Sequence, residues 1–222
     1  MGFGTSYQEI LNRIDRVDPS EYGRTRNFID GAVSKLSPYI SRGVISTRQV
    51  FRAVRERGID PRKIEKFIQE LAWRDYWQLV WIAKGSEINQ DLRREQPNTC
   101  HYKIPKALVE ASTGINAIDE ALNEFYETGY LHNHVRMYVA SIACNVGGSH
   151  WQVPARWMYY HLLDGDWASN ALSWQWVSGS NAVKKYYANQ KNINKYCHTD
   201  QKGTFLDVDY GSLEEAEIPE IL

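Results

Sequence analysis

The sequence predicts an all-α protein, and two observations support that prediction. Apolar residues recur at i, i+3, i+4 and i+7, the spacing of one helix face, in two separate segments. These residues are Ile64, Phe67, Ile68, Leu71 and Ala72 in the first segment and Ile118, Ala121, Leu122 and Phe125 in the second. The strict alternation of apolar and polar residues that marks a half-buried strand is scarce. The 222 residues suffice for one large domain or two small ones, and no repeat or linker divides them.

The other helices follow from the same spacing, taken in chain order. Helices are predicted over residues 7–16, 46–57, 64–81, 116–127, 133–145, 154–163 and 166–178. Gly129 follows the fourth helix and is suited to end it, because glycine accepts the left-handed conformation common after a helix. After about residue 200 the chain is acidic and contains Gly203, Gly211 and Pro219. An irregular surface arm, or a partly disordered segment, is therefore expected there.

The helix predicted over residues 64–81 carries a second stripe at helical spacing. Its members are large or charged: Glu70, Trp73, Arg74, Trp77 and Trp81. A helix with two faces that do not suit solvent is expected to be buried on both sides.

The net charge of −1 conceals an asymmetry along the chain. Residues 207–222 hold six acids and no base, so residues 1–206 carry 26 bases against 21 acids, a formal charge of +5. The bases concentrate in residues 42–66 and 184–202. Such clusters can bind phosphates, but solvated helix faces explain each cluster equally well. The acidic tail could neutralise a basic cluster, although a simple solubilising role ranks above that interpretation.

Several functional classes are disfavoured by composition. No apolar run is long enough to span a membrane, and the N terminus lacks an export pattern. Three scattered cysteines, Cys100, Cys144 and Cys197, suit a reducing cytoplasm and fall short of a four-thiolate cluster. His132 and His134 are two residues apart and have no third ligand nearby, so no metal site is predicted.

The run from Asp164 to Trp176 is the most informative part of the chain. If a helix begins near Asp166, then Asp166, Asn170 and Trp174 lie on one face at i, i+4 and i+8. A carboxylate, an amide and an indole on one stripe suit a flat, polar, redox-active ligand. Taken alone, an Asp-Gly turn, a capping aspartate and core tryptophans explain the run better.

This run and three further blocks resemble the flavin-binding core of the photolyase/cryptochrome family. In chain order, the blocks are Lys35–Tyr39, Glu70–Arg74, Thr128–Met137 and Asp164–Trp176. One short motif would be weak evidence, but four blocks in the same order are specific. The resemblance implies a helical FAD-binding domain over residues 1–200, an acidic tail over 201–222, and non-covalently bound FAD. The family's usual N-terminal α/β domain has no counterpart here, so an antenna chromophore would lack its cradle.

The resemblance also assigns the FAD contacts. Hydroxyl and amide groups before a helix suit the diphosphate, and the implied residues are Tyr22, Ser34, Lys35, Leu36 and Ser37. The family often has threonine at the position of Val33 and arginine at that of Lys35, and lysine loses the bidentate geometry of arginine. An ordinary Ser-Pro turn is the alternative. At the isoalloxazine end, the implied residues are Asn133, Arg136, Asp164, Asp166 and Asn170, and Arg74 and Gly165 are further implied FAD contacts.

Two of these ring contacts have specific implied roles. Arg136 and Asp164 would form a buried ion pair beside the ring, unless that pair is purely structural. Asn170 would lie next to N5 of the flavin and accept a hydrogen bond when N5 is protonated. An aspartate or cysteine at this position is associated with sensory cryptochromes, so Asn170 favours photolyase-like chemistry.

A lesion pocket is implied by four residues: Glu70, Trp73, Met137 and Trp176. In the family, two indoles sandwich a flipped-out pyrimidine dimer and the carboxylic acid hydrogen-bonds its base edge. Further DNA contacts are assigned to Arg26, Lys184, Lys185 and Gln190, although residues 184–190 depart from the family's usual run. Core tryptophans and a surface glutamate are the alternative interpretation.

An electron route through Trp174 and Trp151 is implied in the same way. The outer position of the family's tryptophan chain falls near Asn98, so Tyr102 or another aromatic residue would have to substitute. Ordinary packing is a serious alternative for both tryptophans. Together with Glu70 and Asn170, these two tryptophans form the predicted catalytic set.

The resulting hypothesis is a lyase that repairs pyrimidine dimers in light, with a preference for single-stranded or loosely structured DNA because the scaffold is small. The first alternative is a blue-light photoreceptor without repair activity, which the altered segment 184–190 favours. The second is a flavoprotein subunit that needs a separate α/β partner protein.

Overall fold

The computed structural model describes residues 2–222, and the regular secondary structure of these residues is all helical, with one isolated bridge between His101 and Ser149 and no strand. The α-helices are α1 Tyr7–Asp15, α2 Pro19–Thr25, α3 Ser37–Ser41, α4 Thr47–Arg55, α5 Pro61–Lys84, α6 Lys106–Val109, α7 Asn116–Thr128, α8 Asn133–Ser141, α9 Gln152–His161, α10 Trp167–Ser178, α11 Gln190–Cys197 and α12 Tyr210–Glu215. A 3₁₀ turn, Gly85–Asn89, follows α5, and a π-helical turn, Ile142–Val146, follows α8. The all-α prediction is confirmed.

Local sequence explains where several helices begin and end. Asp18 caps α2 by accepting hydrogen bonds from the amides of Ser20 and Glu21, and a capping box of Ser46 and Gln49 begins α4. Gly129 ends α7 with φ 67°, as its left-handed preference predicts. All seven predicted helices are present, with ends shifted by a few residues. The helices that the sequence did not predict, α2, α3, α6, α11 and α12, are too short to show a period.

Two hydrophobic clusters hold these helices together. The smaller cluster joins α1, α3, α4 and the first turns of α5, with Ile14, Val50 and Phe67 among its buried members. The larger cluster is built mainly from α7, α8, α9 and α10 and includes Phe125, Trp151 and Trp174. Helix α5 contacts α2, α4 and α10, so it joins the two halves of the fold.

The prediction that the helix over residues 64–81 is buried on both sides is wrong. Ile64 and Phe67 are buried in the first turns of α5, but Trp73 is 48% exposed, Leu79 63% and Ile82 79%. The spacing identified the apolar side chains correctly. It could not show that no described segment covers the face of α5 that carries Trp73, Leu79 and Ile82.

The predicted helix over residues 133–145 is interrupted. Its α-helical part ends at Ser141, and the π-helical turn Ile142–Val146 continues it. The wider turn directs the side-chain amide of Asn145 to the carbonyls of Val177 and Tyr186, at 3.0 and 2.7 Å. These bonds fix the chain just after α10, and π-turns of this kind are frequent near functional sites.

The acidic tail differs from the expected irregular arm. Leu206 and Leu213 are both buried in the larger cluster, and helix α12 contacts the π-helical turn. The amide of Gln190 also donates to the carbonyl of Leu206 at 2.8 Å. Composition predicted exposed acids in this segment. It did not indicate that Leu206 and Leu213 anchor the segment to the larger cluster. Among the described residues, no helix is long and apolar enough to cross a membrane.

Candidate functional site

Asp166 connects α5 to α10. Its Oδ1 accepts a hydrogen bond from the amide of Ser169 at 2.9 Å and so caps α10. Its Oδ2 accepts from Arg74 Nη1 at 3.0 Å and from Gln78 Nε2 at 2.7 Å. A carboxylate offers about four acceptor positions, so about one remains for a ligand. Sequence analysis missed Gln78, although it lies one turn after Arg74 on the same face of α5.

The predicted ion pair between Arg136 and Asp164 is present. Arg136 Nη2 lies 2.9 and 3.0 Å from the two oxygens of Asp164, and Arg136 Nε donates to the carbonyl of Leu131 at 2.8 Å. Asp164 is only 3% exposed. Burial raises the pKa of this carboxyl, but the charge of Arg136 and hydrogen bonds from Ser37 and Arg136 outweigh it and hold the pKa below the usual value.

Gly165 is required by the close approach of the backbone beside this pair. A Cβ at this position would lie 3.1 Å from the carbonyl oxygen of Leu162 and 3.2 Å from that of Tyr159. Because both contacts are tighter than ordinary van der Waals contact, a larger residue would require the backbone between Asp164 and Asp166 to shift by a few tenths of an ångström.

The loop Ser34–Ser37 lies against the same ion pair, through the hydrogen bond from Ser37 to Asp164. Lys35 adopts a left-handed conformation, with φ 51°, and its Nζ lies 5.3 Å from the ring centre of Tyr130. Burial, followed by the charges of His134, Arg136 and Lys35, lowers the pKa of His132 to about 4. Lys35, His132 and Arg136, which are far apart in sequence, thus lie close together, and lysine and arginine side chains suit the binding of a diphosphate.

Asn170 is buried one turn after Asp166, on the face of α10 that the sequence predicted. Its Nδ2 donates to the carbonyl of Ala155 at 2.8 Å. This bond orients the amide and leaves Oδ1 as an acceptor. Trp174, another turn along, is buried in the larger cluster. Asn133 begins α8 and is exposed.

Glu70 lies between two cations. Its Oε1 is 3.7 Å from Arg26 Nε and 3.5 Å from Lys66 Nζ. Burial, and then the negative charge of Glu70, raise the pKa of the nearby Tyr22 phenol above its usual range. Tyr22 therefore lies close to Arg26 and Glu70, although the sequence analysis assigned Tyr22 to the diphosphate and the other two residues to DNA and the lesion.

The indoles assigned to the lesion pocket are both accessible. Trp73, which lies about one helical turn after Glu70 on α5, stacks on Trp77 with ring centres 5.2 Å apart. Trp176 is 43% exposed and lies 5.9 Å from Tyr186. Met137 is partly buried against the larger cluster. An exposed indole is unfavourable in water and suits a stacking surface.

Two of the predicted DNA contacts are wrong. Gln190 is fully buried, and its side chain bonds to Asn194 at 2.8 Å and Thr204 at 2.6 Å, so it cannot reach DNA. The Nζ of Lys185 is also buried, without a hydrogen-bond partner among the described residues, and burial lowers the pKa of its amine. Lys184 is exposed. The sequence pattern did not reveal the turn into α11 that draws this segment inward.

A basic groove of about 1150 Å³ opens between α2 and the first half of α5. Its cationic lining consists of Arg16, Arg24, Arg57, Arg62, Lys63 and Lys66, against three acids, Asp18, Glu21 and Glu65. Asp18 is committed to capping α2, and Glu21 pairs with Arg24. The groove reaches Lys66 and Gln69, next to Glu70, so its excess positive charge borders the predicted lesion pocket.

Trp151, the other predicted electron-transfer residue, is fully buried just before α9. Its indole Nε1 donates to Asp91 Oδ1 at 2.7 Å. Asp91 also lies 3.4 Å from His150 Nε2. Sequence analysis missed Asp91 because a single acid in a loop carries no motif.

One family model and several known proteins are similar to this chain in sequence or in fold. The family model for the FAD binding domain of DNA photolyase matches residues 67–210. The deoxyribodipyrimidine photo-lyase of Alkalihalophilus pseudofirmus is 29% identical over 200 residues, which cover 84% of this chain and 40% of that protein. The crystal structure of a Synechocystis cryptochrome matches with a TM-score of 0.76 and 25% identity over 88% of this chain and 44% of that one. A photolyase from Sulfolobus tokodaii, crystallised with two FAD molecules, matches with a TM-score of 0.74 and 27% identity over 87% of this chain and 44% of that one.

This chain thus spans less than half the length of these relatives, and its fold is that of the helical FAD-binding domain. FAD is the cofactor of this domain, and the residues present fit it. The hydroxyls of Ser34 and Ser37, the charge of Lys35 and the oriented amide of Asn170 are groups of the chemical kinds that FAD requires.

Proposed function

Because this chain belongs to the photolyase/cryptochrome family, we propose that it repairs pyrimidine dimers in DNA by light-driven electron transfer. The observation that carries this proposal is Glu70, a carboxylate held between Arg26 and Lys66 beside the exposed indole of Trp73. Hydrogen-bonding and stacking groups lie within one turn of α5. A flipped-out pyrimidine dimer needs both kinds of contact.

The chain's own residues have distinct roles in this reaction. Reduced FAD, when bound, supplies the electron after absorbing light. Trp73 and Trp176 stack on the extruded dimer, and stacking on an aromatic residue is worth about 1–3 kcal/mol per base. Glu70 hydrogen-bonds the base edge and stabilises the dimer after it has gained charge.

The flavin is oriented by the buried polar groups. Asn170, fixed by its bond to Ala155, would help to hold the flavin ring through its Oδ1, which can accept a hydrogen bond. The ion pair of Arg136 and Asp164 keeps a fixed dipole beside the ring without reorganising during the reaction. Asp166, Arg74 and Gln78 hold α5 and α10 at a constant separation, which sets the distance between the lesion pocket and the cofactor.

DNA approaches along the basic groove in this proposal. Arg16, Arg62 and Lys63 contribute cationic groups that phosphates can neutralise, with release of counterions. A single strand is the preferred substrate because its base is extruded without the cost of unpairing. Lys184 follows the exposed Trp176 by a few positions in the sequence and supplies a further cation. A cytoplasmic location is part of the proposal and agrees with the three free cysteines.

A photoreceptor without repair activity is the second candidate function. The burial of Gln190 and of the Lys185 ammonium favours it, because these residues leave fewer contacts to DNA beside the pocket. The exposed second half of α5, with Leu79 and Ile82, also favours the related proposal of a subunit that needs an α/β partner. Both alternatives predict bound flavin without a preference for damaged DNA.

The deciding experiment illuminates the FAD-loaded, chemically reduced protein with dimer-containing single strands and measures the recovered monomeric pyrimidines. Repair in light, and none in darkness, is expected. Glu70→Gln should lower the yield, whereas the exposed control Glu87→Gln should not. Photoreduction without repair, together with equal affinity for damaged and undamaged strands, would refute the repair proposal and favour a photoreceptor.

A further inference from the structure

Lys66 lies where the basic groove meets the Glu70 carboxylate. It lines the groove between α2 and α5, and its Nζ is 3.5 Å from Glu70 Oε1, one turn further along α5. The same Nζ donates a hydrogen bond to Gln69 Oε1 at 3.2 Å, and Gln69 Nε2 donates to Glu65 Oε1 at 3.1 Å. The ammonium of Lys66 is thus held at the edge of the groove and contacts the predicted lesion pocket at the same time.

This ammonium can bind one further acceptor. It carries three N–H donors, and Gln69 and Glu70 account for two of them. Because the Lys66 side chain is 38% exposed, the third donor is available to a group that enters from solvent. In a groove with a cationic lining, a phosphate oxygen is the acceptor that suits it.

Glu70 is held through one of its two carboxylate oxygens. Among the described residues, both of its ion pairs are made through Oε1, with Lys66 Nζ and with Arg26 Nε at 3.7 Å. Oε2 therefore remains as an acceptor for the edge of an extruded base. The two cations also offset the repulsion that a lone carboxylate would exert on DNA phosphates.

Stabilisation of α5 is a poor explanation for the contact between Lys66 and Glu70. Opposite charges at i and i+4 stabilise a helix more when the acid comes first, and here the lysine precedes the glutamate. A partly exposed ion pair of this kind also contributes little to stability. The contact therefore matters for where it places the two groups.

We propose that Lys66 is a positioning residue that couples recognition of the DNA backbone to recognition of the lesion. Its ammonium holds Glu70 Oε1 and donates to a phosphate of the lesion strand in the groove, which fixes Glu70 for its contact with the dimer. This inference rests on the proposed repair function and specifies the substrate: a strand whose backbone extends from the dimer into the groove, rather than an isolated dimer.

The test measures the affinity of the FAD-loaded protein, in darkness, for dimer-containing and undamaged single strands of equal length. Fluorescence anisotropy at several salt concentrations gives the affinity and its salt dependence. Lys66→Gln should reduce the slope of log affinity against log salt by about 0.7 on both strands, because one phosphate contact is lost. It should also reduce the preference for the damaged strand by about threefold or more, because Glu70 loses its anchor.

Four further variants isolate the coupling. In a Glu70→Gln background, Lys66→Gln should reduce the salt dependence again but should not reduce the preference any further. Lys63→Gln, in the same groove, should reduce the salt dependence and keep the preference. Lys84→Gln, which breaks a similar pair with Glu87 elsewhere on α5, should change neither quantity. Lys66→Arg, which keeps the positive charge, should restore most of the preference.

Each outcome supports or overturns the assignment. An unchanged salt dependence in Lys66→Gln overturns the phosphate contact. A preference that survives Lys66→Gln, that falls equally in Lys63→Gln, or that falls again in the double variant overturns the coupling to Glu70. A wild-type protein without a preference for damaged strands refutes the proposed function and this inference with it, whereas a wild-type preference with additive losses refutes this inference alone.

Discussion

Replacing Asp164 by alanine should remove both stability and flavin. The substitution deletes two hydrogen bonds to Arg136 Nη2, at 2.9 and 3.0 Å, and leaves the guanidinium beside the cofactor site without its counter-charge. Breaking one side of a buried ion pair costs about 3–5 kcal/mol. Arg136 keeps its bond to the carbonyl of Leu131 and part of its solvent exposure, so we expect the lower end, about 3 kcal/mol.

This loss should be visible in thermal unfolding. For a domain of this size, 1 kcal/mol corresponds to about 2–4 °C, so the melting temperature should fall by about 6–12 °C. Calorimetry and the ratio of flavin to protein absorbance measure the two effects. The exposed control Asp200→Ala should change neither quantity.

The pH dependence provides a further check on the same carboxylate. Its folded pKa is held below the usual value of 3.8 by Arg136 and Ser37. The stability that it contributes is therefore present above that usual value and is lost as the pH falls through the lower, folded pKa. The difference in stability between the wild-type protein and Asp164→Asn should be constant near neutral pH and shrink below about pH 4. A wild-type melting temperature and flavin content in Asp164→Ala would refute the reasoning.

Three further predictions concern the cofactor, the lesion pocket and the tail. Trp174→Phe should slow photoreduction of oxidised flavin while FAD content stays unchanged, as flash spectroscopy and absorbance can show; an unchanged rate would mean that another residue donates the electron. Trp176→Ala should weaken binding to dimer-containing single strands by about 1–3 kcal/mol, measured by fluorescence anisotropy, with a smaller effect on undamaged strands; equal losses on both would assign this residue to general DNA binding. Leu213→Ala should destabilise the protein by about 2–5 kcal/mol in urea unfolding because Leu213 is buried, whereas a loss near zero would restore the picture of a loose arm.

The sequence by itself determined the helical class and the order of the flavin-binding blocks. Asp166, Asn170 and Trp174 could be placed on one face of α10 because helical geometry repeats every 3.6 residues, whatever surrounds the helix. Gly129 could be predicted to end α7 for the same local reason. Helices as short as α3 and α6 escaped prediction because a turn or two gives no period to detect.

Only the tertiary structure decided which side chains meet across the fold. Gln78 and Asp166 are 88 positions apart and Asp91 and Trp151 are 60 apart, so neither hydrogen bond leaves a pattern in the local sequence. The same limit explains the errors on α5, Gln190 and the tail. Spacing shows which residues are apolar or polar on a face, but burial depends on whether a distant segment covers that face. No described segment covers the face of α5 that carries Trp73, Leu79 and Ile82, whereas the segment after α11 packs around Gln190 and draws Leu213 into the core.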